Sequence, residues 1–395
     1  ELRAAREAGV AIEAWQQTVA DAAVNQAGSL VAVAGTHGKS TSAGWLVHML
    51  VESGRDPAAF VGALLPEAIT GGVPATARWG RGPVFVVEAD EYAGNFDPYR
   101  PALAIVLNAE WDHPDVFADR TAVVDAFETW LRAPGAEARE AIIHVGDAGG
   151  LELAERLADW GTRVVRVAPH DREPAGTTVG YRSDGATIAL WGLPGERGPL
   201  ALEARSRLVG AHNAANAACV AAAAARLGLR EAEISAGLAT FEGVGRRFDV
   251  KGERQGILVI DDYGHHPSAI RATVDAVRGQ YPGRRVWVAH EPLTYHRAAA
   301  MLDELADALA TADEVVIADI WPGRDPDITI TSAAALAAAV AERSGRPVAA
   351  PGSPAATADY LFDRARRGDI VVAMGGGRSY VIAERLLALL EGIAE

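Results

Sequence analysis

The sequence predicts an α/β protein of two units, each a mostly parallel sheet covered by helices. Three observations predict it. From Ser29 onward, short apolar runs alternate with stretches of helical period, the pattern that builds parallel sheets. The first run is followed by a glycine-rich turn ending in Gly38-Lys39-Ser40-Thr41, a strand-to-helix junction of P-loop type. A second alternation of the same kind begins near Gly243, and 395 residues suffice for two cores.

In order along the chain, residues 1–28 carry a helical stub at 2–7, the apolar run Val10-Ala11-Ile12 and a helix through Trp15, Val19 and Ala23. With no strand or glycine loop before them, they are expected to be the remnant of an N-terminal domain. Val31-Ala32-Val33-Ala34 reads as the end of a buried parallel strand, and Trp45, Leu46, Met49 and Leu50 mark the helix that follows. Strands are expected at 58–61, 83–88, 102–108 and 141–145, a helix at 122–131, and a helix–strand pair ending near 167. Between 177 and 208, turns at Ser183-Asp184-Gly185 and Pro194-Gly195 predict a small antiparallel patch. Helices at 211–227 and 231–239 close this part. The second unit has expected strands at 257–261, 285–289, 314–318 and 369–372, with an irregular loop at 322–326. The expected domains are 1–28, 29–242 and 243–395.

Composition excludes some functions. A formal net charge of -15 argues against a nucleic-acid or anionic-membrane surface, so any polyanion must be held at a local site. The single cysteine, Cys219, excludes an intrachain disulfide and a cysteine-cluster metal site, and is expected in a helix core. The longest alanine-rich run, around 214–225, contains Asn216 and ends at Arg226, too short to span a bilayer. No apolar leader is visible, and a cytoplasmic protein is expected. Oligomeric state is not legible.

The turn Gly35-Thr36-His37-Gly38-Lys39-Ser40-Thr41 has the parts of an anion site. Its amides and the helix dipole face phosphate oxygens, Lys39 reaches the terminal phosphates, and the Ser40 hydroxyl can ligate magnesium. The spacing departs from the usual loop, because Val33 stands where the first glycine would be. Of 37 basic residues only Lys39 and Lys251 are lysines. A chain that writes nearly all positive charge as arginine keeps a compact ammonium here, where it fits between phosphates.

Other polar residues gather at predicted strand ends, where open α/β sheets bind ligands. Glu88-Ala89-Asp90-Glu91-Tyr92 ends one strand, and Leu107-Asn108-Ala109-Glu110-Trp111-Asp112-His113-Pro114 ends another. Ser40, Glu88 and His113 together could hold one or two magnesium ions against a triphosphate. Gly210-Ala211-His212-Asn213-Ala214-Ala215-Asn216 opens a helix, where Asn213 either caps or contacts a ligand. In Gly245-Arg246-Arg247-Phe248-Asp249, an arginine could reach phosphates when domains close, or form a surface ion pair. Asp261-Asp262-Tyr263-Gly264-His265-His266-Pro267 is strand end, polar loop and helix start. Its adjacent histidines are a weak metal signal and suit a loop facing a cleft.

The ordered set GTHGKST, EADEY, LNAEWDHPD, GAHNAAN, GVGRRFD and DDYGHHP resembles the Mur ligases of peptidoglycan synthesis, from about Ser29 to near the end. The resemblance implies a central ATP-binding domain followed by a Rossmann-like C-terminal domain, with residues 1–25 resembling the tail of the uridine-diphosphate-binding domain. It implies ATP-driven amide formation: a substrate carboxylate takes the γ-phosphate, and an amine displaces phosphate from the acyl phosphate. The nearest branch joins L-alanine to UDP-N-acetylmuramate. On this reading Lys39 and the loop residues 35–41 hold ATP, and Ser40, Glu88 and His113 hold Mg2+. Asn108, Asn213, Arg247, Asp261 and Tyr263 contact or position the nucleotide. His212, His265, His266, Tyr295 and Arg297 face the substrate, with Lys39, Glu88, His113, Arg247 and His265 at the chemistry. Some relatives use a carbamylated lysine for a second metal, which the absence of lysines between Lys39 and Lys251 makes unavailable here.

Two stretches depart from the alanine-adding pattern. His290-Glu291-Pro292-Leu293-Thr294-Tyr295-His296-Arg297 has Leu293 at the usual histidine, and Met374-Gly375-Gly376-Gly377-Arg378-Ser379 differs from the usual Gly-Ala-Gly-Asp/Asn. A recycling ligase that attaches a tripeptide is the alternative within the class, and Tyr263-Gly264 favours the alanine branch over it. A non-catalytic nucleotide-binding module is the alternative outside it. The expected loss of most of the N-terminal domain and Leu293 favour the module, and the intact Lys39, Glu88 and His113 argue against it.

Overall fold

Runs of valine, isoleucine and alanine with no exposure on either face form the central strands, as parallel strands between helical layers require. The computed structural model describes all residues except 27, 136–138, 174–175, 196–197 and 393–395. The chain divides into two compact units. Glu1–Trp111, Asp119–Arg207 and Ala214–Phe241 form the first, and Asp112–Ala118, Leu208–Asn213 and Glu242–Glu395 the second. Two short stretches upstream of the expected 242/243 border therefore group with the second unit, and residues 1–28 group with the first.

The first unit contains β1 (Ser29–Ala34), β2 (Ala58–Leu65), β3 (Ala75–Arg78), β4 (Val84–Glu88), β5 (Leu103–Val106), β6 (Glu140–His144), β7 (Val164–Pro169), β8 (Val179–Asp184), β9 (Thr187–Leu193) and β10 (Leu200–Arg205). They make one sheet in the order β10-β9-β8-β7-β6-β5-β1-β4-β2-β3. The expected antiparallel patch is not separate: β8 pairs parallel with β7, and β8–β9–β10 continue the same sheet. β1 lies between β4 and β5, with Val33 opposite Glu88 and Ala34 opposite Val106. Three carboxyl strand ends thus stand side by side where the glycine loop at 35–38 leaves the sheet.

The helix Lys39–Glu52 starts directly on that loop, ahead of the apolar residues that mark it in the sequence, and is buried from Ser40 to Leu50. The helix Glu231–Thr240 packs on it so closely that a Cβ at Gly237 would lie 2.5 Å from Met49 Cγ. The Trp45 indole donates to the Gly237 carbonyl at 3.1 Å. Cys219 is buried in the helix Ala211–Arg226, as expected for a small apolar side chain.

The second unit contains β11 (Asp249–Arg254), β12 (Ile257–Asp262), β13 (Val286–Glu291), β14 (Glu314–Ala318), β15 (Ala349–Gly352) and β16 (Ile370–Gly375), in the order β11-β12-β16-β13-β14-β15. All neighbours are parallel except the β11–β12 hairpin. Val259, Val371 and Ala373 pack with Leu361, Ile382 and Leu386 of the flanking helices. Register sets Asp262 and His290 on either side of Met374, so the polar residues again collect at the carboxyl edge. Among the described residues, no helix is long and apolar enough to cross a membrane.

Candidate active site

The glycine loop of the first unit is shaped by glycine and amide chemistry. Gly38 caps the helix at φ 79°, and a Cβ there would meet Asn216 Oδ1 at 2.7 Å. Gly35, at φ 137°, would place a Cβ 3.1 Å from Leu107 and 3.2 Å from the Asn108 backbone. Only glycine satisfies both the left-handed backbone and the close approach. Asn108 brackets the loop: its Oδ1 accepts from the His37 amide at 2.8 Å and its Nδ2 donates to the His37 carbonyl at 3.2 Å. Thr36 Oγ1 donates to the Glu110 carbonyl and accepts from the Glu110 amide, both at 3.0 Å. His37 Nε2 lies 3.4 Å from Glu110 Oε1. Asn108 thus supports the loop that would hold phosphate. Thr41 is buried in the first turn of the helix.

Of the three expected magnesium ligands, Ser40 and Glu88 meet in the first unit, while His113 belongs to the second. Ser40 Oγ donates to Glu88 Oε1 at 3.1 Å, while Glu88 Oε2 accepts from the Gly62 amide at 2.6 Å. The Lys39 ammonium lies 2.8 Å from Glu91 and 3.4 Å from Asp90. Burial works against its charge, but Glu91, Asp90 and Glu88 outweigh it and hold the ammonium protonated well above its usual range. Burial pushes the Glu91 carboxyl up, against the pull of Lys39. Hydroxyl and carboxylate oxygens are the hard donors that magnesium takes, so Ser40 and Glu88 fit such an ion.

The second unit groups its candidates around Asp112. Arg297 Nε donates to Asp112 Oδ1 at 2.7 Å, and Arg297 Nη2 lies 3.1 Å from His113 Nδ1. Asp112 and Arg297 are each 3% exposed, so Arg297 is a buried partner of Asp112 and His113, where the sequence suggests a substrate contact. Burial would raise the Asp112 carboxyl, yet Arg297, His113, His265 and His266 hold it far below the carboxylate range. His113 takes φ 54°, a conformation that a non-glycine residue keeps only when its surroundings enforce it. His265 Nδ1 lies 3.0 Å from the Tyr263 carbonyl. A carbonyl only accepts, so Nδ1 carries the proton and Nε2 holds the lone pair. Burial and the Arg297 charge drive this imidazole well below its ordinary 6.5.

His266 caps the helix Pro267–Gln280, its Nδ1 accepting from the Ser268 amide at 3.3 Å. His212 packs over Gly210, and half-buried Tyr295 opens the helix Tyr295–Ala300. Asn213, the third residue of the helix Ala211–Arg226, donates Nδ2 to the Val209 carbonyl at 2.9 Å, which is not the accepting bond of an N-cap. Arg247 lies over the Tyr263 ring at 4.3 Å. Asp261 is fully buried on Arg246 at 3.3 Å, which makes it a positioning group. Burial raises its carboxyl to about 6.

Sequence reasoning missed four residues. Glu91, Asn216 and Asp112 sit inside motifs it had isolated, beside the residues it chose. Arg246 is the fourth: it donates to the Gly375 and Gly377 carbonyls and to Ser379 Oγ, fastening the end of β16, while its neighbour Arg247 stacks. The carbonyl-rich glycine turn at 375–377 was the available signal.

A glycine loop that leads into a lysine at the centre of a parallel sheet, followed by a second α/β unit, is the arrangement of a nucleotide-dependent enzyme class. Family models for the Mur ligase middle domain and for the Mur ligase, glutamate ligase domain match residues 33–224 and 246–377. The UDP-N-acetylmuramate–L-alanine ligase of Nostoc punctiforme is 36% identical over 366 residues, covering 91% of this chain and 72% of that protein. The chain belongs to the Mur ligase family. The fold is shared with a UDP-N-acetylmuramate–alanine ligase from Thermotoga maritima at TM-score 0.77 and 23% identity, covering 98% of this chain and 81% of that one. A MurF ligase from Thermotoga maritima in complex with ADP matches at TM-score 0.67 and 18% identity, covering 97% and 84%.

Proposed function

We infer that the protein is an ATP-dependent ligase that joins L-alanine to UDP-N-acetylmuramate, a cytoplasmic step of peptidoglycan precursor synthesis. The observation that carries the reading is Lys39 at the head of a glycine loop, next to a Ser40 hydroxyl 3.1 Å from the Glu88 carboxylate. Phosphoryl transfer needs its spreading negative charge neutralised more than it needs covalent help. Lys39 and the loop amides supply that neutralisation. Ser40 and Glu88 would hold Mg2+, which when bound neutralises phosphate charge.

A carboxylate oxygen of UDP-N-acetylmuramate attacks the γ-phosphorus and the bond to ADP breaks. The alanine nitrogen then attacks the acyl carbon, gives up a proton, and phosphate leaves with the original carboxylate oxygen. His265 is suited to take that proton: its imidazole is neutral and its Nε2 bears the lone pair. The first unit is read as the ATP-binding domain, and the second as the domain that presents the amine.

The test is phosphate release from ATP with UDP-N-acetylmuramate and either L-alanine or the tripeptide that a recycling ligase would attach. Release that depends on L-alanine is expected. Release only with the tripeptide would replace this reading with the recycling one.

A further inference from the structure

Asp90 and Glu91 have no part in the chemistry set out above, yet both touch its central cation. Glu91 follows β4 in a short turn that includes Ala93 at φ 50°, and its side chain is 2% exposed. Its Oε2 lies 2.8 Å from the Lys39 ammonium, whose side chain is 12% exposed. Asp90 Oδ1 is 3.4 Å from the same nitrogen, and Asp90 Oδ2 accepts from Asn95 Nδ2 at 2.8 Å. Asn95 in turn accepts from Gln16, of the helix Trp15–Gln26, at 2.5 Å.

A carboxylate oxygen and a phosphate oxygen are the same kind of partner for an ammonium: anionic, hard and acceptor-only. Glu91 therefore occupies on Lys39 a place that a nucleotide oxygen would take. It also adds to Glu88 and Asp90, so three carboxylates face one ammonium, and a triphosphate entering the loop meets repulsion. We propose that Glu91 is a positioning residue that serves as the resident counter-anion of Lys39, and that nucleotide binds by displacing it. The carboxylate fixes the lysine while the loop is empty and sets how tightly ATP is held. This rests on reading the loop as the phosphate site.

The test is calorimetric titration of ATP, in EDTA so that nothing turns over, into the wild type and the variants Glu91→Gln, Lys39→Ala and the double variant. Glu91→Gln is expected to bind ATP roughly tenfold tighter, because the competitor is gone and the side chain's shape is kept. In the Lys39→Ala background the gain should vanish. A support that merely shapes the site would give the opposite sign, weaker binding on substitution. Glu91→Asp, which keeps the charge on a shorter arm, should fall between wild type and Glu91→Gln, and it decides the question should Glu91→Gln fail to fold. Unchanged or weaker binding in Glu91→Gln and Glu91→Asp, with Lys39→Ala impaired, would overturn the inference alone. Full ATP affinity in Lys39→Ala would remove the phosphate-site reading beneath it.

Discussion

The two units put their polar groups in the same place, the carboxyl ends of parallel strands, and commit them in opposite ways. In the first, the cation is a lysine whose ammonium rests on two carboxylates beside a glycine loop. In the second, Arg297 and Arg246 are spent on fixed partners: Arg297 on buried Asp112 and His113, Arg246 on Asp261 and the carbonyls of the 375–377 turn. A lysine is a point charge on a flexible stem that can change partners, whereas a guanidinium fork locks geometry. The first unit is built to exchange one anion for another, the second to hold an imidazole and a loop still.

The largest effect should come from removing the exchangeable cation. Lys39→Ala is expected to lower turnover by roughly a hundred- to thousand-fold, read as phosphate release, because it deletes a preorganised charge on the transferring group. Near-normal turnover would erase the contrast between the units. Arg297→Leu should leave Asp112 charged and buried without its partner, and cost about 3–5 kcal/mol by the midpoint of urea unfolding. A loss under about 1 kcal/mol would mean the arginine is not fixed after all.

Acid should act on the second unit through its lowered imidazoles: His265, and above all His290, which is fully buried and which burial lowers from 6.5 to about 4. The unfolded chain takes up a proton near 6.5 and the folded one does not, so stability is full above that pH. It falls by about 3 kcal/mol as the pH drops toward 4. Asp112 adds a further loss once the pH passes below the ordinary carboxylate range, since its folded form stays ionised there. His290→Gln should flatten the slope between 6.5 and 4 in a pH series of unfolding curves. The smallest effect concerns the departures from the alanine-adding pattern: a Cβ at Gly376 would sit 2.7 Å from Leu293 Cδ2. Gly376→Ala should cost about 1 kcal/mol, and Leu293→Ala should relieve it in a double-variant cycle.

Legibility followed the same division. The phosphate loop, its strand and the Ser40–Glu88 pair could be read because each lies at a fixed offset from a strand end. Glu91 could not: its reach to Lys39 depends on an irregular turn through Ala93 at positive φ, which has no sequence period. Asn216 lies one helical turn past Asn213, inside the helix, and no sequence signal ties it to the loop; the fold points Asn216 at Gly38. Nor could adjacent Arg246 and Arg247 be told apart, since their roles come from carbonyls 129 and 131 residues away. Among strands, β3, β11 and β15 were missed. Ala-Thr-Ala-Arg, the charged Asp249–Arg254 and a stretch containing Pro351 and Gly352 lack the β-branched apolar signature, and all three are edges, where pairing with a longer neighbour is enough.

The most direct test of acyl-phosphate chemistry at this loop is the fate of a labelled oxygen. UDP-N-acetylmuramate carrying oxygen-18 in its carboxylate, incubated with ATP, Mg2+ and L-alanine, should pass one labelled oxygen to each phosphate released, as read by mass spectrometry. Phosphate free of label, with ADP still forming, would mean that water attacks the nucleotide, and the ligase assignment would be contradicted.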